Sequence, residues 1–292
     1  MVEVAAAVAA AEATDVTDRV GLGWRPELSA GILLSLDRID VVEVIADDYF
    51  EASRAHVRAL GTLAKQVPLM LHGVGLGLAS TLRADQGRLD AMGRIVDRVQ
   101  PECWSEHLAF VRAGGREIGH LAAPPRTQAT IEGAARNVRR ARRIVGAAPL
   151  LENVATLIDP PGSDQDEPGW IAEVVEALDV DLLLDLHNLH ANAVNFGFDA
   201  RAALARLPLH RVAVVHLAGG RFIGRLLDDH RHDVPDAVFD LLAELAASTS
   251  RPLTVVLERD GNYPPIEHLL DELDRARATL AHGRARRLTS AA

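Results

Sequence analysis

The sequence predicts an α/β protein, a single-domain (β/α)8 TIM barrel, on three observations. Eight short apolar runs alternate with eight stretches of helical periodicity. The runs are apolar through their middles rather than alternating, as parallel strands covered on both faces must be. The length, 292 residues, suits eight βα units in one closed barrel.

The elements follow in order. The strand Val20–Trp24 leads into the helix Pro26–Leu36, which starts on a proline whose fixed φ and missing N–H suit a first helical turn. Val41–Ile45 precedes Arg54–Gln66, Pro68–His72 precedes Gln86–Gln100, and Glu102–Leu108 precedes Thr127–Gly146. Pro149–Glu152 runs into a Pro/Gly/Asp-rich surface loop, Asp159–Glu167, before the helix Pro168–Leu178. Asp181–Asp185 is followed by Asp199–Leu207, where Asp199 is placed as an N-cap ahead of Ala-rich sequence. Val212–Leu217 with Pro235–Ala247, and Leu253–Glu258 with Pro264–Ala281, complete the set. The barrel domain is thus read over 19–281, with flexible tails at 1–18 and 282–292. The basic stretch Arg284-Ala285-Arg286-Arg287 falls in the second tail as solvated charge. An open doubly wound sheet would carry a Gly-rich phosphate turn after its first strand. Gly21-Leu-Gly23 instead precedes a Trp and an Arg and lacks the third glycine.

Composition excludes several functions. A net charge of -10, with no dense Lys/Arg cluster beside aromatics, argues against a nucleic-acid partner. The lone Cys103 rules out an internal disulfide and Cys-rich zinc motifs, leaves metal ligands to nitrogen and oxygen, and fits a reducing cytoplasm. No apolar run approaches the ~18 residues of a membrane span, and the start lacks a basic n-region, so neither membrane insertion nor export is expected.

The informative feature is what stands at the strand ends: Glu43, His72, His107, Glu152, Asp185, His216 and Glu258. C-terminal strand ends share one mouth in this fold, where active sites are built. A single His or Glu there is an ordinary helix cap or loop anchor. Several carboxylates around one cavity carry a steep desolvation and repulsion cost that metal cations relieve, and the histidines supply neutral donors. The loop Asp228-Asp-His-Arg-His-Asp233 adds Asp228 and His230, which we favour as ligands over a merely charged surface loop. His187 shares strand parity with Asp185 and is expected to point inward if the strand persists, as a ligand or a donor behind one. His190, His210 and His268 are assigned to structural or exposed positions. Cys103 and Ser105 share parity with His107 and belong below it in the interior, Cys103 as packing. His72, His107, His216 and His230 with Glu152, Asp185, Asp228 and Glu258 exceed what one metal can use, so two or three ions are implied. A carboxylate such as Glu152 is placed to bridge two of them. Donor chemistry alone permits zinc, manganese or iron.

Nine short motifs, in this order, carry a resemblance: Gly21-Leu-Gly-Trp-Arg25, Leu71-His-Gly-Val-Gly75, Ser105-Glu-His107, Leu151-Glu-Asn153, Leu184-Asp-Leu-His-Asn188, Asn195-Phe-Gly-Phe-Asp199, His216-Leu-Ala-Gly219, Asp228-Asp-His230 and Leu257-Glu258. From about Val20 to Asp260 the chain resembles the multinuclear non-heme iron-dependent oxidases (MNIO) that modify ribosomally made peptides, including the methanobactin biosynthesis oxidase. The resemblance implies a TIM barrel holding two or three irons. His72, His107, Glu152, Asp185, His216, Asp228, His230 and Glu258 fall where the family's motifs carry ligands; Glu152, Asp185 and His230 are the residues we would call catalytic. It also implies O2-dependent oxidation of a precursor-peptide residue, usually cysteine, whose thiolate would bind one iron. A separate peptide-presenting partner protein is implied too, since nothing in this chain resembles one. The chain departs from the family pattern at Asp47-Asp48-Tyr49, at His187 where an asparagine is usual, and at Arg231 and Arg259. The competing reading is a non-redox di-metal barrel, sugar isomerase-like or endonuclease-like, since those chemistries also place His, Asp and Glu at strand ends. The acidic balance speaks against the nuclease, and the surplus of histidines against the isomerase.

Overall fold

The computed structural model describes residues 17–290. Eight parallel strands close into one barrel in chain order. They are β1 (Arg19–Gly23), β2 (Val42–Ile45), β3 (Leu69–Gly73), β4 (Cys103–His107), β5 (Leu150–Glu152), β6 (Leu182–Asp185), β7 (Val212–Leu217) and β8 (Thr254–Leu257). Each lies where the apolar runs predict it, within one or two residues. The outer layer is α1 (Ser29–Leu34), α2 (Arg54–Leu63), α3 (Gln86–Val99), α4 (Gln128–Val145), α5 (Glu167–Leu178), α6 (Leu186–Phe196), α7 (Ala200–Leu204), α8 (Asp236–Ser248) and α9 (Ile266–Ser290). Side-chain caps start most of them: Ser53, Asp85, Thr127, Asp166, Asp185 and Asp199 each accept a first-turn backbone N–H. None of the described helices is long and apolar enough to cross a membrane.

Strand alternation divides the core in two. Val20, Leu22, Val44, Leu71, Trp104, Leu151, Leu184, Val215 and Leu257 face outward under the helices and form the large shell of the core. Val41, Met70, Leu150, Leu183, Val214 and Val256, with Cys103 packed on them, form a separate apolar plug inside the barrel. The inward side of β1 is glycine. A Cβ on Gly21 would sit 1.9 Å from the Val41 carbonyl oxygen, so only glycine lets the neighbouring chain approach so closely.

Three features differ from the expectations. The sixth unit holds two helices rather than one. Asp185 caps α6 by accepting the Asn188 N–H at 2.7 Å, so the strand stops there and His187 lies in a helical turn instead of continuing the strand. Two antiparallel hairpins, Phe110–Ala113 with Arg116–Ala122 and Arg221–Phe222 with Leu226–Leu227, follow β4 and β7; their half-exposed residues lack the apolar runs that mark buried strands. The expected tails are corrected where they can be seen. Residues 1–16 of the first lie outside the described residues, but Asp18 accepts the Leu253 N–H at 2.8 Å. Residues 282–290 of the second continue α9 to Ser290, and 291–292 lie outside the described residues. Arg284 reaches Asp18 at 2.6 Å and the carbonyls of Arg251, Ala246 and Thr249. A basic run reads as solvated charge unless its carbonyl and carboxylate partners, remote in sequence, are known.

Arg284 therefore ties the last helix to the chain entering β1. Arg284→Ala is expected to cost about 2 kcal/mol, the scale of charged, half-buried hydrogen bonds. That corresponds to a melting temperature lower by roughly 4–8 °C. His282→Ala, exposed on the same helix, should leave the melt unchanged by calorimetry.

Candidate metal centre

Two residues beyond the plug, on the same face of each strand, stand the polar groups of the mouth. Val41 leads to Glu43, Met70 to His72, Cys103 to Ser105 and then His107, Leu150 to Glu152, Leu183 to Asp185, Val214 to His216 and Val256 to Glu258. Glu43, His72, His107, Glu152, Asp185, His216 and Glu258 are all buried. The parallel register keeps them level: Glu152 pairs with His107 on one side, and Asp185 pairs with His216 on another.

These side chains make two groups whose ligand atoms lie within 4.8 Å of one another. The first is His72, His107 and Glu152; the second is Glu152, Asp185, His216 and Glu258. Glu152 is common to both. One of its oxygens is 3.4 Å from His72 Nε2 and 3.3 Å from His107 Nε2, and the other is 3.3 Å from His216 Nδ1. His216 Nδ1 is also 2.9 Å from Glu258, and its Nε2 is 2.9 Å from Glu43. Beside them, His230 Nε2 contacts Asp228 at 2.8 Å, and His187 Nδ1 contacts the same Asp228 oxygen at 2.9 Å. Asp228 and His230 thus flank the two groups, with His230 Nδ1 3.7 Å from Glu258, while His187 reaches them only through Asp228. His230 holds a left-handed φ of 51°, uncommon for a residue other than glycine.

The polar atoms are not satisfied by one another. Glu43 Oε2, Glu152 Oε2, Asp185 Oδ2, His107 Nδ1, His187 Nε2, His230 Nε2 and both nitrogens of His216 are buried without a hydrogen-bond partner. Buried polar groups are otherwise nearly always paired. Their nitrogens and oxygens stand close but misaligned for hydrogen bonds, which suits cations seated among them, and the donor set of imidazole and carboxylate fits divalent first-row metals. Charge tells the same story. Burial, then the charges of Asp228 and Glu152, push the Asp185 carboxyl well above its ordinary range. Burial works against a charged His216, yet Glu258, Glu43 and Glu152 raise it well above the usual imidazole value. Burial likewise opposes a charged His107, but Glu152 and Glu106 bring it to about 9. His72 goes the other way, lowered by burial.

Outer contacts orient the ring. Ser105 Oγ lies 2.8 Å from His72 Nδ1, which leaves Nε2 facing Glu152. Asn153 accepts the Asp185 N–H and donates to its carbonyl, both at 2.9 Å. Glu106 accepts the N–H groups of Leu76 and His107, each at 3.0 Å. Several of these residues were not among the predicted site residues. Glu43 stands outside the expected ligand set, yet it ends its strand two residues past Val41 and lies 2.9 Å from His216 Nε2. Arg25, which reaches Asp260 at 2.5 Å and Glu258 at 3.6 Å, follows Gly23 on β1, where the missing side chain leaves room for its guanidinium. Nothing in the spacing could have pointed to Asp260, whose partners His230 and Arg25 come from other loops.

Residues 19–281 match the family described as RiPP precursor modification enzyme MbnB/TglH/ChrH. A UPF0276 protein of Streptomyces avermitilis is 40% identical over 272 residues, 89% of this chain but 54% of that protein, so the chain spans about half of that relative's length. A UPF0276 protein of Bordetella bronchiseptica is 36% identical over 275 residues, 91% of this chain and 94% of that protein. Among solved structures, a D-psicose 3-epimerase from Clostridium cellulolyticum is 12% identical with a TM-score of 0.56, covering 92% of this chain and 99% of that one. An L-ribulose 3-epimerase is 14% identical with a TM-score of 0.57, covering 94% and 97%. At such identities the epimerases share the barrel fold.

The raised His107 sets a pH test. Its pairing stabilises the metal-free protein fully below the unfolded imidazole value of ~6.5, and that contribution is lost as pH rises through about 9. Chelated protein should therefore lose on the order of 2–3 kcal/mol between those limits. Metal-loaded protein should hold or gain stability over the same window, because binding takes the neutral imidazole. Thermal melts with and without chelator at three pH values read the two slopes.

Proposed function

The chain belongs to the MbnB/TglH/ChrH family of RiPP precursor modification enzymes, and from that premise we propose that it is an iron- and O2-dependent oxidase acting on a residue, cysteine foremost, of a ribosomally synthesised peptide. The observation that carries the reading is the sharing of Glu152 between the two buried donor groups. His72, His107 and Glu152 would hold one iron, and Glu152, Asp185, His216 and Glu258 a second. Asp228 and His230, with His187 behind Asp228, would hold a third. Bound there, ferrous iron supplies the one-electron chemistry with O2 that no side chain of the mouth possesses.

The chain's own groups do the rest. Ser105 fixes the ring of His72, and Asn153 with Asn188 fixes Asp185, so the donors keep their positions while a substrate enters. The plug below them closes the floor of the barrel to water. His230 is the mouth imidazole with the greater exposure, 15% against 10% for His107. Asp260 stands 3.1 Å from its Nδ1 and leaves Nε2 facing Asp228, so an iron held there would be the one an arriving thiol meets first. The two hairpins that follow β4 and β7 rim this entrance, and the second presents the exposed Phe222 and Ile223, apolar surface suited to a peptide. A reducing cytoplasm would keep both the peptide thiol and the iron in the states this reading needs.

Protein purified without oxygen, loaded with Fe(II) and given cysteine-containing peptides encoded beside its gene is expected to consume O2 and change the peptide's mass. His216→Ala should lower the rate at least ~100-fold and reduce bound iron, since it removes the donor that faces Glu43, Glu152 and Glu258 at once. Zinc or manganese retained in place of iron, with no O2 uptake, would favour a non-redox metalloenzyme.

A further inference from the structure

A cavity of about 720 Å³ on the outside of the barrel is lined by six arginines, with Thr81, Leu82 and Asn137. Five of the arginines come from α4 and one, Arg83, from the loop after β3. Elsewhere in this chain of net charge -10 arginines typically meet carboxylates, as Arg19 meets Glu102, Arg206 meets Asp166 and Arg251 meets Asp181. Here, among the described residues, none of the six has a carboxylate within ion-pair distance. Arg140 turns to the Ala84 carbonyl and the Gln86 side chain, and Arg142 to the Asp179 carbonyl at 3.3 Å. Burial and then the neighbouring charge of Arg83 lower the Arg140 guanidinium from its ordinary value. Arg83, Arg136, Arg139, Arg142 and Arg143 are exposed. Like charges crowd one face, with the carboxylates of Asp85 and Asp90 near Arg140 but outside ion-pair contact.

The wall of the cavity is built in advance. Asn137 Nδ2 donates to the carbonyls of Leu78, Ser80 and Leu82 at 3.1, 3.0 and 2.9 Å, and its Oδ1 accepts the Ala84 N–H at 3.0 Å. A Cβ on Gly133 would lie 2.5 Å from the Ser80 carbonyl oxygen, so the loop is pressed on α4. A preformed wall lowers the ordering cost of binding. Planar guanidinium forks match carboxylates two bonds at a time. The lining holds no aromatic ring on which a base could stack, and the acidic chain as a whole repels a nucleic-acid backbone.

We propose that this groove between α4 and the loop at 80–84 is a docking site for a carboxylate-rich segment of a peptide, gripped by Arg83, Arg136, Arg139 and Arg143, with Leu82 offering an apolar contact. The peptide-oxidase reading bears only on calling that segment part of the precursor; the carboxylate chemistry follows from the groove itself.

The test uses the full chain, metal-loaded, and fluorescence anisotropy of a labelled Glu/Ala peptide of about 15 residues at roughly 50 and 300 mM NaCl. A Gln/Ala peptide and an oligothymidylate of the same length serve as comparisons. The Glu/Ala peptide is expected to bind, more weakly at the higher salt, and the Gln/Ala peptide not to. Arg139→Glu/Arg143→Glu and, from the opposite wall, Arg83→Glu should each weaken binding about tenfold or more, with metal content and melting temperature kept. Equal binding of the two peptides, undiminished binding by the stable variants, or a preference for the oligonucleotide overturns the proposal. Metal content is read on the same samples. Failure of the wild-type chain to bind the Glu/Ala peptide with metal retained therefore fails the groove alone, and peptide binding by a wild-type chain that takes up no iron fails the oxidase reading alone.

Discussion

The cost of burying carboxylates together governs this structure. Glu43, Glu152, Asp185 and Glu258 are at most 5% exposed at one end of the barrel, and Asp228 and Asp260 stand beside them. Arg25 is the guanidinium among them, reaching Glu258 and Asp260. Buried charge on this scale is tolerated only when matched. Without metal the match falls to the imidazoles, and His107, His216 and His230 are accordingly held protonated against the pull of burial. Such an arrangement leaves nitrogens and oxygens close but unbonded. Divalent cations would reverse the roles, with the imidazoles neutral and the carboxylates offset directly.

The rest of the fold serves to hold that arrangement rigid. A barrel brings strand ends to one level, and the apolar plug two residues below each mouth residue fixes the direction of its Cα–Cβ bond. β1 contributes glycines to the interior instead of side chains, and Arg25 folds back into the space. Asp185 shows how tightly the parts are combined. One of its oxygens starts α6, and the other is a buried orphan among the candidate ligands. Replacing it would disturb a helix start as well as the centre, so a variant there is harder to interpret than one at His216.

Much of this was legible in the sequence for a specific reason. Parallel strands are short apolar runs with little local ambiguity, and the residue that ends such a run points to the mouth by parity alone. His72, His107, Glu152, Asp185, His216 and Glu258 are brought together as that parity requires. What escaped the sequence depends on contacts distant along the chain. Whether the strand runs on to His187 is a condition that periodicity does not decide, because capping by Asp185 competes with the strand. Arg284 was read as tail because Asp18 and the carbonyl at Arg251 are far away in sequence. The arginines of α4 stand out only once the loop at 80–84 is laid against them. The hairpins of the mouth are too short and too polar to carry a pattern.

In the proposed centre Glu152 joins two metal positions. Iron-edge X-ray absorption on anaerobic protein loaded with Fe(II) tests it most directly, for the wild type and Glu152→Ala. Iron–iron scattering at roughly 3.5–4 Å, the separation of two-metal centres, is expected in the wild type and not in the variant. Isolated irons in the wild type, or a pair that survives the loss of Glu152, would contradict it.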